Sequence, residues 1–125
     1  MKIATIIMFL FFYYGCSCSN TEKIGVDFIY DKNHPHLSPE IHLDHVPSGV
    51  DYLEIRFMDA TNNWEHGGGT LPYKGKDIIH QGAVKDFKGI SSVWGFPKFN
   101  VTINAFDING KLIGKGGITK KPPQS

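Results

Sequence analysis

The chain has little cysteine, no sustained helical period and no excess of charge, and each shortage removes a class of protein. Its two cysteines, Cys16 and Cys18, are separated by one residue, a spacing that would strain a bridge between them. Both precede the part that reads as folded, so the domain is expected to be held by its apolar core and not by disulfides. Lys and Arg number 13 against 12 Asp and Glu. A balanced chain has no long-range field to gather a polyanion, and the short basic pair Lys120 and Lys121 does not alter this, which argues against nucleic-acid binding. The sequence has no run of about 20 apolar residues that would cross a bilayer as a helix. Nor does it contain a Gly-x-Ser-x-Gly elbow to present a nucleophile, and 125 residues are too few for the large sheet that such an elbow needs.

Histidine is the metal-binding residue in supply, with His34, His36, His42 and His45 close together. Their spacing follows no ligand motif, and two of them flank Pro35. They are expected to be surface side chains, with no metal and no cofactor.

The amino terminus carries one basic residue, Lys2, and then an apolar run over residues 3–14 broken only by Thr5. A run of this length fits a secretory signal core, expected over residues 1–15. Its removal takes away Lys2 alone and leaves the two charge signs equal. Gly15 followed by Cys16 resembles the lipobox of bacterial lipoproteins, with Tyr13 where that pattern prefers leucine. The resemblance implies acylation of Cys16 and anchoring to a membrane of the bacterial cell envelope; ordinary secretion with cleavage near Cys18 is the alternative. A polar tether over 16–25, a domain over 26–121 and a tail over 122–125 complete the expected organisation.

Within the domain, Leu53, Ile55 and Phe57 alternate with Tyr52, Glu54 and Arg56, the period of two of a half-buried strand ending at Asp59. Phe99, Val101, Ile103 and Ala105 alternate with Asn100, Thr102 and Asn104 in the same way. Asn109 and Gly110 signal a two-residue hairpin, with residues 111–115 returning antiparallel. Shorter strands are expected at 26–30 and 40–43, a turn at Val46, Pro47, Ser48 and Gly49, and apolar pieces at 71–73 and 78–79. Residues 60–69 and 82–96 read as loops. Short strands, many turns and 14 glycines predict an all-β fold, an antiparallel sandwich with long loops.

The candidate chemistry lies where the first of these strands stops. Asp59 is followed by Trp64, His66 and the glycines Gly67, Gly68 and Gly69. A carboxylate and an imidazole across a loop, walled by an indole, suit a small anion or polar headgroup, with the ring and nearby backbone N–H groups donating. The glycines let backbone approach a ligand. The competing reading is that Asp59 caps a turn and the glycines merely reverse the chain.

Several of these pieces occur in an order that resembles the phosphatidylethanolamine-binding protein family, whose bacterial members are also called Raf-kinase-inhibitor-like proteins. They are Ser38 with Pro39, Val46 through Gly49, the strand ending in Asp59, then Trp64 and His66, and finally the strand from Phe99. The resemblance implies that family's sandwich-like domain, no enzymatic activity, and a pocket for a phosphate-type or phospholipid headgroup. Asp59 stands at the first aspartate of the family's acidic motif, and Trp64 and His66 at its pocket tryptophan and histidine. The chain departs from the pattern twice. Ala60 and Thr61 replace the proline and second aspartate of the acidic motif, and residues 94–98, before the strand from Phe99, hold no histidine where the family's Gly-x-His-Arg motif belongs. A structural or protein-interaction lipoprotein with a degenerated pocket is the alternative function.

Overall fold

The computed structural model describes residues 21–61, 63–89 and 98–121. The expected signal over 1–15, Cys16, residues 90–97 and the tail 122–125 lie outside them. Among the described residues eight strands form two sheets: β1 (Glu22–Lys23), β2 (Gly25–Ile29), β3 (Glu40–Asp44), β4 (Tyr52–Asp59), β5 (Trp64–Pro72), β6 (Ile78–Ile79), β7 (Phe99–Phe106) and β8 (Leu112–Lys120). One sheet has the order β1-β8-β7-β4-β5 and the other β2-β3-β6. All pairings are antiparallel except β1 with β8. The architecture is the all-β sandwich expected from the alternating strands.

The two patterned strands are the centre of it. β4 and β7 pair in register from Tyr52 opposite Phe106 to Asp59 opposite Phe99. Leu53, Ile55 and Phe57 of β4 and Phe99, Val101, Ile103 and Ala105 of β7 are buried and face Phe28, Ile41 and Leu43 of the smaller sheet. On the outer face Arg56 pairs with Glu65 of β5 at 3.3 Å, not with Glu54, and Glu54 instead accepts from the Asn104 side-chain amide at 3.0 Å. Exposed pairs of this kind contribute well under about 1 kcal/mol.

Two expectations change. Residues 64–72 form a full strand on β4 where a loop was expected up to Gly69, because glycine hides the alternation from which a strand is recognised. The folded part also begins before residue 26, since Glu22 and Lys23 pair with β8 and Ile24 is buried in the core. The glycines of β8 explain how that crossing fits: a Cβ on Gly116 would lie 2.0 Å from the Ile24 carbonyl oxygen.

An ion pair ties the two sheets together where Lys120 of β8 meets Asp27 of β2 at 2.6 Å, with the ammonium 4.7 Å from the centroid of the Phe28 ring. The Lys120 hydrogen bond, aided by the Phe28 N–H and opposed by desolvation, holds the Asp27 carboxyl below its usual 3.8. A carboxyl with a depressed folded-state pKa adds stability above the unfolded value, and that stability is lost as pH falls through the folded one. Lys120→Gln should therefore cost less than about 1 kcal/mol at neutral pH, the ceiling for an exposed pair. Urea unfolding at a series of pH values should show the difference from wild type shrinking below pH 3.8; a difference that grows in acid would assign the effect elsewhere.

Candidate functional site

The register of β4 and β5 contains the feature that builds the site. Arg56 is opposite Gly68, but Met58 is opposite Glu65, so both His66 and Gly67 fall against Phe57. This is a β-bulge, and Gly67 takes the left-handed conformation within it at φ 96°. Without the extra residue, alternation would place His66 beside Met58 on the outer face. With it, His66 turns to the inner face with Phe57.

There the ring is fixed on two sides. Nδ1 of His66 donates to the carbonyl oxygen of Gly89 at 2.7 Å, and since a carbonyl only accepts, Nδ1 carries the hydrogen. The ring meets Phe99 edge to face, with centroids 5.6 Å apart and planes at 71°. Nε2 is buried and has no hydrogen-bond partner among the described residues. This sharpens the expected role of His66. The neutral ring uses its only N–H on Gly89 and offers a ligand an acceptor; the protonated ring offers a donor at Nε2.

Asp59 reaches the same region from β4. It is 1% exposed, lies opposite Phe99 in the register, and accepts the Thr61 N–H at 2.8 Å. It thereby caps the turn that leads out of β4, the competing reading of this residue, while bringing a carboxylate to the inner face on which His66 sits. Phe99 is the shared neighbour of both.

Trp64 stands directly opposite Asp59 in the register of β4 and β5 but is largely exposed. It is the first residue of β5 after the turn containing Asn63 at φ 58°, and 63% of it is exposed. Its place at the very end of the sheet, beyond the packed layers, accounts for that.

Gly67 and Gly68 are also placed differently from the expectation that they approach a ligand. A Cβ on Gly67 would lie 1.9 Å from the Asp86 carbonyl oxygen, and one on Gly68 2.3 Å from that of Ile55. The space they leave is filled by the protein's own backbone. The Gly68 N–H donates to Asp86 at 2.8 Å and the Lys88 N–H to His66 at 3.0 Å, with Gly67 bridging to Phe87. The glycines seat residues 86–88 along β5, and that seating delivers the Gly89 carbonyl to His66. Sequence reasoning missed Gly89 because a backbone carbonyl carries no side-chain signal. It also missed Phe99 as a site residue, although the alternation of β7 had marked it as inward-facing.

An open cleft of about 470 Å³ lies beside this segment, lined by Arg56, Glu65, Gly68, Thr70, Asp86 and Lys88 among others. It excludes Asp59 and His66, and its charges are of both signs. Three of the other histidines have local partners: His34 meets Asp31 at 2.8 Å, His42 meets Glu40 and His45 meets Asp44. Among the described residues no three His, Cys, Asp or Glu side chains converge as a metal site.

No known family profile and no curated protein matches the chain. Among solved structures it is similar to a phosphatidylethanolamine-binding protein homolog from Chlamydia trachomatis D/UW-3/CX, with a TM-score of 0.52 and 11% identity over 86% of this chain and 100% of that one. At that identity the likeness is one of fold. The domain has the fold of that phosphatidylethanolamine-binding protein homolog, in agreement with the order of motifs in its sequence.

Proposed function

We propose that the chain is a non-enzymatic binding domain that takes a phosphate-type or polar headgroup at His66 and Asp59, and that an acylated Cys16 carries it on a membrane of the cell envelope. The observation that supports this reading most is the buried, unpartnered Nε2 of a ring whose other nitrogen is already fixed. A buried polar atom without a partner costs about 1–3 kcal/mol, and a ligand group that completes it recovers that cost. An anion would be met by an Nε2–H donor. A hydroxyl or ammonium group instead donates to the neutral ring. The fold likeness supports a binding role in general terms, the neighbour being a homolog of a protein named for phosphatidylethanolamine.

The test is to titrate the protein with inorganic phosphate and with glycerophosphoethanolamine while following the His66 ring nitrogens by NMR. A saturable shift of Nε2 is expected, and His66→Gln should weaken binding roughly tenfold, the value of one charge-assisted hydrogen bond. A ring that does not move at saturating ligand would sink the pocket. It would leave the interaction-protein reading, which the use of Asp59 in its own turn favours.

A further inference from the structure

The strand register fixes what lies at each end of the sandwich. β4 begins, β5 ends and β7 turns into β8 at one end, where Tyr52 pairs with both Pro72 and Phe106. Asp59, Trp64 and Phe99 mark the other end. Because β1 runs parallel to β8, with Glu22 opposite Gly114, residue 21 emerges at the first end, away from His66.

That end carries apolar groups not buried by the chain. Ile108, in the turn between β7 and β8, is 80% exposed and Ile78 is 44% exposed. Between the edge of β5 and β6 lies an apolar groove of about 250 Å³, lined by Leu53, Leu71, Tyr73, Ile79 and Ala83 and flanked by Lys74 and Lys76. Both lysines are exposed.

We propose that this end docks on an anionic bilayer surface, with part of a lipid chain entering the groove between β5 and β6 and the lipid phosphate meeting Lys74 and Lys76. The choice of a bilayer as occupant rests on the tether reading given above. Cys16 precedes residue 21 by five residues, which span at most about 18 Å. Residue 21 lies one step before the level of Gly114, and the seven steps from there to Lys120 at about 3.3 Å each are longer, about 23 Å. A domain inverted onto its His66 end would hold its point of attachment beyond the tether's reach. The end bearing the groove faces the membrane, and the His66 site faces away from it.

The electrostatic contribution is local. Asp51, Asp77 and Asp107 lie at the same end, and Asp77 accepts the Tyr73 hydroxyl at 3.0 Å, so the lysine pair acts against a mixed background. Each lysine at an anionic surface contributes roughly fivefold in affinity, an effect that salt screens.

The test uses the chain from residue 16 with Cys16→Ser, which retains every core residue and lacks the acyl group. It is sedimented with vesicles of phosphatidylcholine alone and of phosphatidylcholine mixed with phosphatidylglycerol. Binding is expected to the mixed vesicles. Lys74→Glu with Lys76→Glu should lower it by at least about twentyfold, and Ala83→Phe, which fills the groove, should weaken it with an unchanged circular dichroism spectrum. Equal binding to both vesicles, or none by a folded protein, overturns the proposal, as do variants that bind like the parent. The mass of Cys16 in the membrane-extracted wild-type protein separates the two readings. A lipid-free Cys16 with vesicle binding intact removes the tether and leaves the docking surface; an acylated Cys16 with no vesicle binding by the serine variant removes the docking surface alone.

Discussion

Phe99→Ala is expected to lower the free energy of unfolding by roughly 3–5 kcal/mol, the cost of truncating a large buried aromatic side chain. Phe99 is 0% exposed and touches four rings: Phe28 at 6.2 Å, Phe57 at 6.0 Å, Phe87 at 6.2 Å and His66 at 5.6 Å between centroids. Loss of the transfer energy alone amounts to about 1.5–3 kcal/mol. The remainder comes from the cavity, which cannot collapse easily because Phe99 is paired to Asp59 on one side and Lys120 on the other. A domain with about 5–15 kcal/mol in total would lose a large share. Urea unfolding followed by circular dichroism measures the change, and Phe99→Leu, which keeps most of the volume, should cost less than about 2 kcal/mol. A loss below about 1 kcal/mol for the alanine variant would show that the ring is not at the centre of the packing.

The same substitution links stability to the site. The His66 ring rests edge-on against Phe99 and is hydrogen-bonded to Gly89. Removing Phe99 leaves the hydrogen bond but takes away the surface that sets the ring plane. Phe99→Leu should therefore retain most of the fold while loosening the ring, separating the packing role of Phe99 from its support of Nε2.

The parts of the fold legible in the sequence are those where each residue's face was decided by water. Leu53, Ile55 and Phe57 are buried while Arg56 is exposed between them, so β4 announced itself, and β7 did so for the same reason. β5 and the second half of β8 were not legible, because Gly67, Gly68, Gly116 and Gly117 serve close backbone approaches and show no polarity. β1 has two residues and pairs in parallel, leaving no pattern to read. Of the candidate site, Asp59 and His66 stood out because their types and order carry chemistry, and the structure places both on the inner face beside Phe99. The exposure of Trp64 was not legible, because a residue at the end of a strand can lie beyond the layers that would cover it. The Gly89 carbonyl was not readable, since its position depends on how residues 86–88 lie against β5.

Gly67→Ala should destabilise the domain by roughly 2–6 kcal/mol and remove the site as well. Two costs combine. The residue sits at φ 96°, where a side chain adds about 1–3 kcal/mol of backbone strain. Its Cβ would also fall 1.9 Å from the carbonyl oxygen of Asp86, an overlap that must push residues 86–88 outward at a further cost of about 1–3 kcal/mol. Neither cost is relieved by a rotamer change, since the clash is between Cβ and backbone. The chain can escape by releasing residues 86–88, which frees the Gly68 N–H from Asp86 and the Lys88 N–H from His66. It can also escape by giving up the bulge, which returns His66 to the outer face beside Met58. Either route separates His66 Nδ1 from Gly89, and the ring is no longer fixed by the 2.7 Å bond. Amide hydrogen exchange distinguishes local from global effects: Gly68 and Lys88 should lose protection far more than Ile55 or Ile103 in the centre of the sheet. Uniform loss across the sheet would mean that Gly67 acts only on overall stability. Retained protection at Gly68 and Lys88 would mean that the 86–88 segment is held by something other than the glycine run. The expected result makes two side-chain-free residues, Gly67 and Gly68, the reason that one histidine faces inward.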